Sequence, residues 1–345
     1  MKYKFYNTSE KAWQAMYESF QKAKKYIFLE MYIFLPDTAP KYDFIEILIN
    51  KAKLGVKVVI IADKMGSQKM PNSVIKKLKE AGVEFLFASN LLRRTHRKIL
   101  VIDGEFAFLG GVNIKKSTSK WNDLQIKISG KKSINAINRT FAYSYKMYGG
   151  RDKKIIDLYD KSKLTKVKNR ILEHNPYEKI STVSSYYREK IINAKKNITI
   201  VTPYLLPPLW LLILLEKAVK RGVLVEIIIP KVTDLWLVSF INHSYVRKLA
   251  SLNIDVYYYN SMNHAKIMIV DDKEVFMGSH NMDLASFKLN SEIGIFIQDS
   301  KAVKEVVNIT NKWRESSVKV ESGKYKLNWF DVILIRFIGL FYSIL

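Results

Sequence analysis

Short apolar runs follow predicted helix ends twice in each half of the chain. Ala-Lys-Lys closes a helical segment at 23–25 and again at 194–196, and an apolar strand follows directly in both places. Gly55 and Gly222 each precede a β-branched run. A glycine that ends a helix before such a run is typical of the junction into a buried strand. The pattern therefore predicts α/β folding, with alternating strands and helices, in both halves.

The order of these predicted elements is the same in the two halves, which indicates an internal duplication. We expect a first domain at 1–150, a basic connector at 151–180 that is rich in Lys and Arg, and a second domain at 181–320. An apolar tail follows at 321–345. Two equivalent halves can place equivalent surfaces face to face across a pseudo-twofold axis.

Each half carries one copy of the motif H-x-K-x-x-x-x-D. The two copies consist of His96, Lys98, Asp103, His264, Lys266 and Asp271. A glycine-containing segment ending in Asn113 follows the first copy, and one ending in Asn281 follows the second. The offset between equivalent residues is 168 positions throughout. A spacing coincidence over so many positions is not credible, so the chemistry is duplicated together with the fold.

This set of side chains fits a phosphodiester site built in two parts. A phosphodiester is anionic, so its cleavage needs charge neutralisation, a nucleophile and an acid for the leaving group. Lys98 and Lys266 supply positive charge. Asn113 and Asn281 supply amide donors for the non-bridging oxygens. A histidine, with an ordinary pKa near ~6.5, can attack phosphorus when neutral and donate a proton when charged.

The paired motif with its trailing asparagine resembles the signature of the phospholipase D superfamily, and the flanking segments are most similar to bacterial cardiolipin synthases. These flanks include 29–34, 63–67, 121–123, 202–204 and 290–292. The resemblance implies two tandem phospholipase D-like α/β/α sandwich domains with pseudo-twofold symmetry. It also implies chemistry without a metal or another cofactor.

The same resemblance implies a role for each site residue. His96 is the expected nucleophile, which forms a phosphohistidine, and His264 is the expected acid and base. Asp123 and Glu292 are expected to bond a histidine Nδ1 and orient the ring. Asp103 and Asp271 complete the motif and are counted with the catalytic residues, although holding the local turn is the simpler role for them.

Three features depart from the resembled pattern. Pro208 stands where an acidic residue is usual, and the segment 284–287 lacks the arginine often found there. No N-terminal membrane helix or signal peptide is expected. His174, His243 and His280 lie outside the motif and are expected to be structural.

Charge and cysteine content narrow the function classes. The 57 basic and 32 acidic residues give a net charge of +25, which favours nucleic acid or an anionic membrane as partner, although a general lysine bias explains part of it. The chain has no cysteine, which excludes disulfides, thiolate nucleophiles and cysteine-ligated metals.

Apolar segments favour lipid over nucleic acid. The run at 205–215 is apolar throughout, and it forms either the start of a core helix or a partly exposed patch. A helix over 327–345 is roughly 28 Å long, just short of the ~30 Å hydrocarbon core of a bilayer. Its polar residues and Gly339 fall on one side, which is shared by Val332, Ile335 and Tyr342: Asn328, Asp331, Arg336 and Ser343.

We therefore expect the tail to lie in the membrane interface, with lysines near the headgroups: Lys319, Lys324 and Lys326. Spanning the membrane and packing on the domain or on a second subunit are the alternatives. The predicted partner is an anionic phospholipid membrane containing phosphatidylglycerol and cardiolipin. The predicted location is the cytoplasmic face of the cell membrane, with a homodimer as an option and no nucleic acid expected.

The predicted reaction joins two phosphatidylglycerols into cardiolipin and releases glycerol. A phospholipase D-like hydrolase is the alternative, and a nuclease of the same superfamily comes third. A lipid- or nucleic-acid-binding protein without activity is disfavoured because both sets of His, Lys and Asn are intact.

Overall fold

The structure is a computed structural model that describes residues 2–88, 94–161, 170–321 and 327–344. The chain divides into two compact units. The first comprises Met1–Ile171 together with Ser291–Ile293, and the second comprises Leu172–Asn290 together with Gly294–Leu345. A short segment from late in the sequence thus belongs to the first unit.

Strands and helices alternate in the first unit, as the hydrophobic pattern predicts. Its strands are β1 (Tyr3–Thr8), β2 (Tyr26–Met31), β3 (Lys57–Asp63), β4 (Glu84–Ala88), β5 (Lys98–Ile102), β6 (Phe106–Gly110) and β7 (Asn122–Ser129). Its helices are α1 (Ser9–Lys22), α2 (Phe44–Lys53), α3 (Asn72–Glu80), α4 (Lys131–Met147) and α5 (Lys153–Lys161), with a 3₁₀ turn at Lys116–Thr118.

Among the described residues these strands form one sheet in the order β1-β7-β6-β5-β2-β3-β4. Helices α1 to α3 pack on one face through a core that includes Phe20, Phe44 and Leu48. Helix α4 covers the other face, where the Phe141 ring stacks on Phe28 at 4.9 Å. Alternate residues of β2 face opposite sides, so one short apolar strand supplies both layers.

The second unit repeats this alternation. Its strands are β8 (Arg170–Asn175), β9 (Ile180–Ser181), β10 (Asn197–Val201), β11 (Leu224–Pro230), β12 (Asp255–Tyr259), β13 (Ile267–Val270), β14 (Glu274–Gly278), β15 (Glu292–Ile297) and β16 (Ser317–Lys319). Its helices are α6 (Thr182–Asn193), α7 (Leu209–Lys220), α8 (Trp236–Ala250), α9 (Ser300–Glu315) and α10 (Trp329–Ile344), with a π-helical turn at Ala285–Leu289.

The described strands of this unit form a sheet in the order β16-β12-β11-β10-β13-β14-β15-β8-β9. Six neighbouring strands of this sheet, β12-β11-β10-β13-β14-β15, correspond to β4-β3-β2-β5-β6-β7 of the first unit. The parallel and antiparallel pairings are the same in both sheets. Each unit is therefore an α/β/α sandwich, and the predicted duplication of fold is confirmed.

The predicted connector at 151–180 contains regular structure. Helix α5 packs on α4, where the rings of Tyr143 and Tyr159 lie 5.6 Å apart. Strands β8 and β9 follow, and residues 162–169 of the connector lie outside the described residues.

The apolar run at 205–215 is divided between core and surface. Leu211, Leu212 and Leu215 of α7 are buried in the core of the second unit. Leu209 and Ile213 are exposed.

Helix α10 packs against α8 of its own unit. The Asp331 carboxylate is fully buried and accepts hydrogen bonds from Arg247 Nε at 2.6 Å and from Nη2 at 2.5 Å. Ile335 and Ile338 pack on the core from the same side of the helix. Packing on the domain, one of the alternatives given for the tail, is therefore what the structure shows, and Asp331 is separated from the exposed Arg336 by its arginine partner inside the unit. Lys324 and Lys326 lie outside the described residues.

The exposed side of the tail carries both apolar and charged residues. Trp329, Phe330 and Ile333 are exposed, and so is Arg336. In the part of the chain that the structure describes, every helix is too short or too polar to cross a membrane.

Candidate active site

His96 lies two residues before β5, in a segment held on both sides. Its backbone N–H donates to the Ser291 carbonyl at 2.9 Å. The preceding residue, Thr95, donates its N–H to the Asp63 carboxylate at 3.1 Å and its hydroxyl to Glu30 at 2.5 Å. The histidine backbone is therefore fixed by three neighbouring chain segments.

The imidazole of His96 has a buried carboxylate partner. Its Nδ1 lies 2.9 Å from Glu292 Oε1 and 3.1 Å from Oε2, and the Glu292 side chain is fully buried. An ionised carboxylate only accepts hydrogen bonds, so Nδ1 carries the proton. In the neutral ring the lone pair then lies on Nε2, which is the tautomer that a nucleophile or base requires.

Glu292 stands 28 residues after His264 in the sequence but 196 residues after its hydrogen-bond partner His96. Sequence distance alone would assign this carboxylate to the wrong motif. The three-residue segment 291–293 carries it into the first unit.

Lys98 is fully buried and curls back onto its own motif. Its Nζ donates to the His96 carbonyl at 2.7 Å and lies 5.1 Å from the centre of the Tyr32 ring. The Tyr32 ring also meets the His96 ring edge-on at 4.8 Å. The ammonium group is thus held beside the histidine, where it can neutralise an anionic phosphoryl group.

Asn113 is buried, and its amide orientation is set by the backbone. Its Oδ1 accepts from Ile33 N–H at 3.3 Å, and its main-chain carbonyl accepts from the Trp13 indole at 2.8 Å. With the oxygen engaged, the side chain presents its NH₂ group as the donor.

The second unit repeats the lysine geometry. Lys266 is buried, and its Nζ donates to the His264 carbonyl. The His264 ring is buried and meets the Tyr204 ring edge-on at 6.3 Å. Asn281 is buried, and its N–H donates to Ser286 Oγ at 3.1 Å. The Asn281 Oδ1 atom has no hydrogen-bond partner among the described residues.

The motif aspartates cap backbone turns. Asp103 accepts from the N–H groups of residues 24, 25 and 26 at 2.7–2.8 Å. Asp271 accepts from those of residues 195, 196 and 197. At ~3.3 Å per residue along a strand, each carboxylate lies roughly 20 Å from its own motif histidine. This position at the far end of the strand does not fit the catalytic role given to Asp103 and Asp271, and it does fit the turn-holding role.

Comparison with known proteins identifies the family. The family model for the phospholipase D-like domain of cardiolipin synthase matches residues 16–145 and 187–313. The chain belongs to the phospholipase D superfamily. Within this superfamily it is close to cardiolipin synthase, as the motifs predicted.

The relatives are similar over most of the chain. It is 29% identical to probable cardiolipin synthase YwiE of Bacillus subtilis, over 99% of this chain and 72% of the relative. It is 32% identical to a cardiolipin synthase of Oceanobacillus iheyensis, over 90% of this chain and 68% of the relative. A phosphatidylserine synthase of Haemophilus influenzae has the same fold, with a TM-score of 0.77 at 16% identity over 99% of this chain and 93% of that one.

Asp123 lies beside a glycine of the phospholipase D signature. It is buried, and its Oδ1 accepts from Leu124 N–H at 2.7 Å. A Cβ atom on Gly111 would lie 2.2 Å from the same oxygen. The missing side chain at Gly111 therefore makes room for this carboxylate. The role of Asp123 in orienting a histidine stays a prediction.

A buried polar cluster beneath the first motif was not recognised from the sequence. Glu30 Oε1 accepts from Thr95 and from Ser144 at 3.0 Å, and Arg97 Nη1 donates to Ser144 at 2.9 Å. Arg97 points to the face of the sheet opposite Lys98, as strand alternation requires. The available signal was Glu30 inside the otherwise apolar strand β2 and a second charged residue, Arg97, directly before β5.

The three histidines outside the motif are His174, His243 and His280. Among the described residues no group of three potential ligands is placed to hold a metal ion. His280 is buried, with its ring 4.4 Å from that of Phe287, and His243 Nδ1 lies 2.6 Å from the Tyr258 hydroxyl. Burial and the nearby cations Arg247 and Lys231 lower the pKa of His243.

Proposed function

We propose that this enzyme of phospholipase D type is a phosphatidyltransferase that makes cardiolipin from two phosphatidylglycerols and releases glycerol. The observation that carries the proposal is the His96–Glu292 pair, with the buried ammonium of Lys98 beside it. A histidine in this orientation is suited to nucleophilic attack. The family model and the relatives of this chain are named for cardiolipin synthase.

In the proposed reaction, His96 Nε2 attacks the phosphorus of one phosphatidylglycerol. The bond from phosphorus to the oxygen of the headgroup glycerol breaks, and His264 gives that oxygen a proton. His264 then takes the proton from a hydroxyl of a second phosphatidylglycerol, whose oxygen attacks the phosphohistidine. Cardiolipin forms and His96 is regenerated, so no proton or bond is left unbalanced.

The other site residues have supporting roles in this proposal. Lys98 and Lys266 neutralise the phosphoryl charge, and Asn113 and Asn281 donate to its non-bridging oxygens. Asp123 is the proposed second histidine-orienting carboxylate. The substrates place the enzyme at an anionic membrane, peripheral on the cytoplasmic face of the cell membrane.

Labelled phosphatidylglycerol vesicles test the reaction. We expect cardiolipin and free glycerol in equal amounts, and no product from His96→Ala or His264→Ala. His243→Gln is the matched control, since it alters a histidine outside the motif and should keep activity. Phosphatidic acid as the sole product would replace the transferase with a hydrolase, and cleavage of DNA without lipid turnover would favour the nuclease.

A further inference from the structure

An exposed apolar surface lies on helices α8 and α10 of the second unit. We call it the α8–α10 apolar face, and it consists of Leu235, Trp236, Leu237, Trp329, Phe330 and Ile333, each between 43% and 81% exposed. The two helices are joined at this surface, since the rings of Phe240 and Phe330 lie 5.9 Å apart. So many large apolar side chains in one patch mark a surface that binds something.

The orientation of α10 is fixed by its buried side. Asp331 pairs with Arg247 of α8, and Asn328 and Asp331 cap each other's backbone N–H groups at 3.0 and 2.9 Å. Phe330 and Ile333 then lie on the opposite side of the helix from Asp331 and Ile335. The exposed aromatic and aliphatic groups are therefore held outward by an ion pair and a helix cap.

The loop that starts the surface is closed by hydrogen bonds. Thr233 N–H donates to Ser239 Oγ at 2.9 Å, and the Thr233 hydroxyl donates to the Leu235 carbonyl at 2.8 Å. Leu235 and Trp236 are thus presented from a closed turn at the beginning of α8.

This surface adjoins the second histidine. Strands β10, β11 and β12 are parallel, so the loops after β10 and β11 leave the same edge of the sheet. His264 lies at that edge because β13 begins opposite the end of β10. Tyr204 links the two places, since its ring meets His264 and its hydroxyl donates to Asp234 at 2.8 Å. Asp234 directly precedes Leu235.

The charges on these elements favour an anionic partner. Lys231 and Arg336 are exposed, and no ion pair is formed by either among the described residues. The two carboxylates of the same elements are engaged, Asp234 with the Tyr204 hydroxyl and Asp331 with Arg247. Tryptophan with aliphatic neighbours and a few cations is the composition of a surface that enters the headgroup region of a bilayer.

We propose that the α8–α10 apolar face inserts into the interface of an anionic phospholipid bilayer and seats the His264 edge of the second unit against the headgroups. The inference rests on the proposed function for its choice of a lipid partner. It differs from a tail anchor, because half of the surface belongs to the start of α8 and the residue before it, inside the second unit, and α10 is packed on α8.

The test uses the full chain with four exposed residues changed, Trp236→Ser, Leu237→Ser, Trp329→Ser and Ile333→Ser. The matched control changes four residues of similar exposure elsewhere: Leu54→Ser, Ile192→Ser, Leu224→Ser and Val318→Ser. Binding to vesicles of phosphatidylglycerol and phosphatidylcholine is measured by co-sedimentation. We expect at least about tenfold weaker partitioning for the first variant and none of this loss for the control.

Two further measurements distinguish a loss of membrane binding from a loss of catalytic activity. Turnover of phosphatidylglycerol dispersed in detergent micelles should be the same in the variant and the parent protein. Brominated acyl chains should quench tryptophan fluorescence in the parent and much less in Trp236→Phe with Trp329→Phe. Unchanged vesicle binding by the four-residue variant overturns the inference, and so does a loss of self-association without a loss of vesicle binding. Vesicle binding through this face without any lipid turnover would instead overturn the proposed function alone.

Discussion

At the scale of single residues, the contact that best explains the site is the one between His96 and Glu292. The carboxylate fixes the proton on Nδ1 and can stabilise the ring when it becomes positively charged. The resemblance pointed to both His96 and Glu292, but it left open which histidine the carboxylate meets, and the two residues are 196 positions apart. Nothing in the spacing of a motif specifies such a partner.

Changing Glu292 to Gln tests this contact at nearly constant volume. The amide cannot stabilise an imidazolium by charge and can hold the ring in the wrong tautomer. We expect kcat to fall on the order of 10²–10⁴-fold with little change in KM. The rate of forming acid-labile phosphate in a single turnover should fall in parallel.

The exposed carboxylate of Glu105 offers a control, as Glu105→Gln should leave turnover unchanged. A Glu292→Gln enzyme with full turnover would show that the carboxylate only packs in the core.

At the scale of elements, the C-terminal helix has the most informative packing. Its apolar residues predicted a membrane-seeking tail, and its polar residues were expected to face outward. The structure buries Asp331 against Arg247 and leaves Trp329 and Phe330 exposed. Periodicity identifies two sides of a helix, but the partner that each side meets is decided by the neighbouring helix.

Replacing Asp331 with Ala should loosen α10. The change removes the ion pair with Arg247 and the hydrogen bond that the Asp331 carboxylate accepts from the Asn328 N–H. We expect the packing of the helix to lose about 1–3 kcal/mol. Hydrogen exchange of the α10 amides measures this directly, and Arg336→Ala on the exposed side is the control. Equal protection in the two variants would mean that the ion pair does not hold the helix.

The packing of α10 against α8 should also depend on pH. Burial acts to raise the pKa of Asp331, but hydrogen bonds from Arg247, the Asn328 N–H and Ser244 outweigh it and hold the pKa below its ordinary value of 3.8. A carboxylate with a lowered pKa stabilises the folded state above its unfolded value. Protection of α10 should therefore be constant near neutral pH and decline as the pH falls below about 3.8.

At the scale of the whole molecule, charge and apolar surface act together. A net charge of +25 attracts any polyanion, so it does not distinguish lipid from nucleic acid. A phospholipid substrate adds a second requirement. Moving its two acyl chains from the bilayer into water costs on the order of tens of kcal/mol, at about 0.8 kcal/mol per CH₂. An enzyme for such a substrate must bring its site to the bilayer.

Mixing two inactive variants tests whether one chain supplies a whole site. The proposed reaction uses His96 and His264 of the same chain. A mixture of His96→Ala and His264→Ala should then stay inactive in the phosphatidylglycerol assay. Recovered turnover would show instead that two chains share their histidines, and a co-expressed pair provides the control for subunit exchange.

The sequence by itself determined the duplicated α/β fold, the family and the residues of the two motifs. Each depends on local pattern: strand runs, helix ends and a fixed spacing that recurs after 168 positions. Only the tertiary structure decided the far-reaching contacts, namely Glu292 on His96, Glu30 beneath Thr95, and Asp331 on Arg247. Desolvation makes an unpaired buried charge costly, so each buried charge needs a partner that is close in space. Local periodicity in the sequence does not specify which distant residues are close in space.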